Sequence, residues 1–185
     1  ASNDHWGTSF RYDNRSEGEP FSISFRGADE NYLSTFDIDL VAGRNLTPSD
    51  TIREFLVNER TIAKLGLASA EDILGKSITV NGSWKGPVVG VVRDFHDHSL
   101  RSDVEPIFIT TSKEHYNVFA IKMNMSNSTS TLAALEKTWS TMYPELIYQY
   151  DFLDDQIAAF YETEQKMMTM IQVFSCIALV IGCMG

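Results

Sequence analysis

EFLVNERTIAKLGLASAEDILGKSITVNGSWKGPVVGVVRD, residues 54 to 94, is the most patterned part of the chain. Glu54 to Val57 reads as a short strand, and Asn58 stands where a side-chain oxygen can cap a helix running to about Leu65. Gly66 is placed as its left-handed stop. A second short helical piece, Ala70 to Leu74, ends at Gly75. Ser77 to Val80 and Lys85 to Asp94 flank Asn81-Gly82-Ser83-Trp84, so they read as a hairpin closed by a loop rather than a tight two-residue turn. Pro87 to Val92 (PVVGVV) is continuously apolar, which predicts a strand covered on both faces.

Towards the N-terminus the pattern thins. Ile38 to Val41 reads as a strand, and Ala28 to Phe36 as a short helix with Tyr32, Leu33 and Phe36 turned inward. Phe21 to Phe25 alternates apolar and polar residues with the period of a half-buried strand. Residues 1 to 20 are polar and rich in turn formers, with Trp6, Phe10 and Tyr12 as their only anchors, and read as a lead-in. Neither a signal peptide nor a first membrane helix is expected at this start, and the chain reads as a fragment.

Towards the C-terminus, Ile107 to Thr110 and Val118 to Met125 read as strands, the second with Phe119, Ile121, Met123 and Met125 on one face. Leu132, Leu135, Trp139 and Met142 recur at helical spacing until Pro144, and Leu146 to Tyr150 reads as a further strand. Asp151, Asp154 and Asp155 crowd the start of a last helix, where the dipole favours acids. Ile157, Phe160 and Tyr161 form its apolar stripe; Glu162, Glu164 and Lys166 stay wet. No glycine or proline interrupts residues 152 to 181. From Met167 to Gly185 the chain carries no charge, and as a helix this run covers roughly 28 Å, close to the roughly 30 Å core of a bilayer. It therefore reads as a membrane helix rather than a buried core helix, joined to the soluble part by one rigid rod.

Every charged side chain lies in residues 1 to 166, with 25 acids against 15 bases and a net charge of −10. Such a surface excludes nucleic acid as a partner, since phosphate binding needs basic groups that release counterions. Both cysteines, Cys176 and Cys183, fall in the apolar run, too far apart on a helix for a disulfide.

Three stretches tempt an enzymatic reading. Asp94-Phe95-His96-Asp97-His98 offers metal-ligand residue types, but a lone H-x-H without a second ligand pair at recognisable spacing is a weak signal. Leu74-Gly75-Lys76-Ser77 resembles the end of a phosphate loop, yet position 70 is Ala70 and the strand follows rather than precedes it, so Gly75-Lys76 reads as a turn into a strand. There is no G-x-S-x-G elbow. No catalytic residue, cofactor site or metal site is assigned, and the chain is expected not to be an enzyme.

The ordered pieces ADENYLSTFDIDLVAGRNL, FLVNERTIAKLG, ILGKSITVNG, GPVVGVVRDFHDHSL and YDFLDDQIAAFYETEQKMMTMIQVFSCIALVIGCMG resemble the extracytoplasmic domain of MacB/FtsX-type ABC transporter permeases, especially those of Bacteroidetes. The resemblance covers about Ala28 to Gly185 and implies an α+β, two-lobed periplasmic domain of an inner-membrane protein. On that pattern residues 1–35 are a lead-in and part of a porter-like lobe, and residues 36–105 a strand-rich, Sabre-like lobe. Residues 106–155 return to the porter-like lobe, and 156–185 run into the second membrane helix. The first membrane helix and first porter segment, which the family places earlier, are not in this sequence. The resemblance also implies a coupling helix, with Asp155, Phe160, Tyr161, Glu164 and Met168 on it, that carries the motion of a cytoplasmic ABC ATPase outward, called mechanotransmission. Implied partners are that ATPase, a second permease copy or paralogue, a periplasmic adaptor or outer-membrane component, and membrane lipid. A periplasmic sensor domain of a signalling receptor is the alternative, because it too would end in a helix entering the membrane. Elemental analysis should find no stoichiometric zinc, and changing His96 and His98 to Ala should leave the metal content unchanged; loss of one bound zinc per chain in that variant would restore the metal-hydrolase reading.

Overall fold

The structure is a computed structural model that describes residues 7–96 and 103–184; within the last helix the side chains of residues 159, 160, 162–165 and 184 lie outside that description. Contacts divide the chain into two compact units, Asn3–Lys122 and Met123–Gly185.

The first unit is built on a mixed sheet. Its described strands are β1 (Gly7–Thr8), β2 (Phe10–Tyr12), β3 (Ile23–Gly27), β4 (Leu40–Gly43), β5 (Phe55–Asn58), β6 (Ser77–Val80), β7 (Trp84–Val92) and β8 (Ile107–Thr110). They run in the order β1-β3-β8-β5-β7-β6-β2, with β4 also paired to β7. β3 and β8 are parallel, as are β5 and β7, whereas β5 and β8 are antiparallel. The nine-residue β7 serves two neighbourhoods: Trp84–Pro87 pairs with β6, and Val88–Val92 pairs with β5.

Each face of the sheet carries its own apolar cluster. Phe55, Val57, Val88, Val91 and Phe108 join Ile62 and Leu65 of α2 (Glu59–Leu65), together with Phe10, Ile23, Ile73 and Ile78. Leu56, Val92 and Ile109 join Leu33 of α1 (Tyr32–Thr35), Ala28 and Leu46 on the other side. This double burial is why PVVGVV does not alternate. The strand also bulges: Phe55 faces Val88, but Leu56 faces Gly90, so Val89 is the extra residue that returns Val91 and Val92 to the correct faces. Gly90 is required at this point, since a Cβ there would collide with the Arg44 carbonyl and come within 2.9 Å of the Leu56 side chain.

The local signals around Asn58 act as read. Its carboxamide oxygen accepts from Thr61 N, Gly66 ends α2 at φ 72°, and the hairpin loop Asn81-Gly82-Ser83 joins the paired Val80 and Trp84. Ala70–Leu74 shortens to a 3₁₀ turn over Glu71–Ile73, and Gly75-Lys76 is the expected turn into β6.

Two expectations are corrected. Phe10 and Tyr12 are buried core residues rather than anchors of a loose lead-in, because β2 pairs antiparallel with β6; three residues are too few to display a period. Trp6 lies outside the described residues. The strands expected over Val118–Met125 and Leu146–Tyr150 do not form: among the described residues neither stretch joins a ladder. Phe119 is 80% exposed and Ile147 82%. Alternation shows that one face of a stretch seeks cover, but a strand also needs a neighbour for its backbone N–H and C=O groups.

The second unit holds a 3₁₀ turn over Met125–Asn127, then α3 (Ser128–Met142) and α4 (Leu153–Met184). Asn124 caps the turn through Ser126 N, and α3 ends before Pro144, where Tyr143 N donates to the Trp139 carbonyl. Trp139 makes tilted ring contacts with Tyr143 and Tyr148, and Tyr150 meets Phe152 in a T-shaped one, so aromatic contacts organise the connection into α4.

Asn58 is fully buried, and its single side chain serves both chain-local and distant groups. Besides Thr61 N, its oxygen accepts from Thr61 Oγ1 at 2.8 Å and Ile107 N at 3.1 Å, while its Nδ2 donates to the Glu105 carbonyl at 2.9 Å. Asn58→Ala removes a helix cap and strands buried backbone groups at the start of β8, so it should destabilise the fold by about 2–4 kcal/mol. The expected readout is a lower urea midpoint at unchanged slope; a midpoint within error of the parent would contradict this role.

Candidate functional site

The residues singled out for coupling lie on α4, a single uninterrupted helix of 32 residues, Leu153–Met184. At 1.5 Å per residue it is about 48 Å long. Asp154 and Asp155 occupy its first turn, where the unpaired N–H groups and the helix dipole favour carboxylates. Gln156 adds a local tie by donating from Nε2 to Asp151 at 3.3 Å.

α4 changes character along its length. Leu153 and Ile157 are about half exposed on the outer part, and Tyr161 is half-buried. From Lys166 to Cys183 the helix is long and apolar enough to cross a membrane, and none of that window is buried. A core helix of the same composition would be mostly covered. Ser175 Oγ donates to the Ile171 carbonyl four residues back, so one of the few hydroxyls in the window is satisfied inside the helix. Of the five residues named for coupling, Asp155 and Met168 are exposed and Tyr161 half-buried; the side chains of Phe160 and Glu164 lie outside the described residues. All five share one helix, and no group of three or more His, Cys, Asp or Glu side chains placed to hold a metal ion occurs among the described residues.

No group of three or more His, Cys, Asp or Glu residues placed to hold a metal ion occurs among the described residues, which include only Asp94, Phe95 and His96 of the H-x-H stretch. Asp94 faces α2 instead: its Oδ1 accepts from Arg60 N at 2.8 Å, and its own N–H donates to Glu59 Oε2 at 3.1 Å. This reciprocal pair closes the N-terminus of α2 against the end of β7, and His96 is exposed beyond it. Asp97 and His98 lie outside the described residues.

A carboxylate suited to acid catalysis is held above its ordinary range, and Glu54 is displaced the other way. Arg44 grips it with two hydrogen bonds at 2.9 and 2.6 Å, and the N–H and Oγ1 of Thr47 donate to the same Oε1. These bonds, the Arg44 pair foremost, outweigh burial and lower its pKa to about 2. The sequence showed nothing of this clasp, because the three residues occupy an irregular loop without a period. Its geometry closes the Arg44–Glu54 loop and is structural.

Against this fold, the model of the MacB-like periplasmic core domain matches residues 2–139. The chain belongs to that family. It is thus a periplasmic core domain of the kind carried by MacB-like ABC transporter permeases. No curated protein sequence matches it. Among solved structures, the periplasmic region of MacB from Actinobacillus actinomycetemcomitans is similar at TM-score 0.51 and 20% identity, over 74% of this chain and 63% of that one. The extracellular domain of the noncanonic ABC-type transporter YknZ from Gram-positive bacteria is similar at TM-score 0.52 and 16% identity, over 76% of this chain and 73% of that one. A domain of a permease protein from Porphyromonas gingivalis is similar at TM-score 0.50 and 14% identity, over 83% and 78%. At these identities the likeness concerns the fold, an α+β arrangement with a strand-rich sheet and several helices. The chain thus spans less than two thirds of the MacB periplasmic region, the first of these neighbours.

Two measurements follow from this geometry. Because the Glu54 carboxyl titrates lower in the folded chain than its ordinary 4.5, its stabilisation is complete above about pH 4.5 and lost as pH falls towards about 2. Discounted for the half-exposed Arg44, it amounts to about 1–2 kcal/mol. Glu54→Gln should therefore lower stability at pH 7 and flatten its decline below pH 5; an unchanged acid profile would refute the clasp. In native membranes, Cys176 should resist a membrane-impermeant maleimide that labels Lys166→Cys on a Cys-free background, and rapid labelling of Cys176 would exclude a membrane span.

Proposed function

We propose that this chain is the non-catalytic extracytoplasmic domain of a MacB/FtsX-type permease of the inner membrane, and that α4 carries conformational change between a cytoplasmic ABC ATPase and the periplasm. The observation behind this reading is the continuity of α4 from Leu153 through the uncovered Lys166–Cys183 window. A flexible anchor would need no helix outside the bilayer. Here about 13 residues of helix, roughly 20 Å, precede the apolar window, a length suited to leverage. MacB-like membership supplies the partners of the reading: the ATPase, a second permease copy or paralogue, and membrane lipid around the apolar window. A periplasmic adaptor or outer-membrane component belongs to the same proposal, as does export or extrusion of a substrate.

The proposed lobes are a Sabre-like lobe over residues 36–105 and porter-like segments over 1–35 and 106–155, with 156–185 as the helix into the membrane. The uncovered Phe119 and Ile147 support the idea that the second porter-like segment takes its ladder partners from chain outside this sequence.

The test uses the full-length permease with its ATPase in lipid. Glu164→Pro removes one helical hydrogen bond and kinks α4, costing about 3 kcal/mol locally; Glu164→Ala keeps the helix. Spin labels on exposed residues of α3 and of the first unit should report an ATP-dependent distance change in the parent and in Glu164→Ala. That change should be lost in Glu164→Pro, while the ATPase still co-purifies. An unaltered distance change in Glu164→Pro would overturn coupling through α4.

A further inference from the structure

We draw no further inference here: the strongest candidate, the uncovered apolar surface of the Met123–Gly185 unit around Leu146, Ile147 and Tyr150 together with the outer stripe of α4 at Leu153 and Ile157, carries nothing because nothing in the structure shows what covers it.

Discussion

The first unit depends on the carboxamide of Asn58. Three donors converge on its oxygen, two from α2 and one from the first residue of β8, and its nitrogen holds the carbonyl just before β8. It therefore fixes where β5 ends, where α2 begins and where a strand almost fifty residues later enters the sheet. The Asn58 side chain itself has no exposure to water, so its polar atoms depend on these partners. The entry point of β8 then propagates: Ser24 N donates to the Pro106 carbonyl and sets β3 in parallel register, and Thr110 Oγ1 reaches back to the Glu54 carbonyl at the start of β5. Both parallel and antiparallel neighbours of β8 inherit their alignment from this junction.

That alignment explains how closely local pattern and fold agree in residues 54 to 94. The Asn58 cap, the αL stop at Gly66 and the turn at Asn81-Gly82 are chemical signals contained within a few residues, so they are legible without knowing the neighbours. The double-faced burial of Val88 to Val92 is legible too, as an unbroken apolar run. The bulge that makes the run work is not. Its cause is the opposition of Leu56 to Gly90 across β5, and the close approach of the Arg44 backbone, neither of which is adjacent in sequence. The same distance hides the pairing of Phe10 with Val80, which turns three N-terminal residues into core.

The stretches on either side of α3 in the sequence show the opposite failure. Val118 to Met125 and Leu146 to Tyr150 have good strand composition, yet composition states only a preference for a pleated, half-covered surface. Burial and backbone pairing come from another strand, and among the described residues none pairs with them, so Phe119 and Ile147 stay exposed. α3 forms regardless, because its hydrogen bonds close within the segment, although no residue of it is fully buried. α3 and α4 thus follow from the sequence of the unit itself, whereas a strand depends on a neighbour to pair with.

The same self-sufficiency bears on the lever proposed for α4. In its outer part Leu153 and Ile157 are only half covered. Stiffness there resides in the i to i−4 ladder, supported at its start by Asp154 and Asp155 and free of proline throughout. A helix tilted by about 10° displaces a point 20 Å along its axis by about 3.5 Å, a shift comparable with side-chain dimensions and hard for a close-packed core to absorb gradually. On the proposed function, small rotations inside a bilayer would become whole-side-chain displacements outside it, provided every backbone bond between Leu153 and Lys166 holds. Specificity in such a device does not reside in any one surface group. On the proposed function, the residues on α4 would act through the helix they sustain rather than as a binding surface.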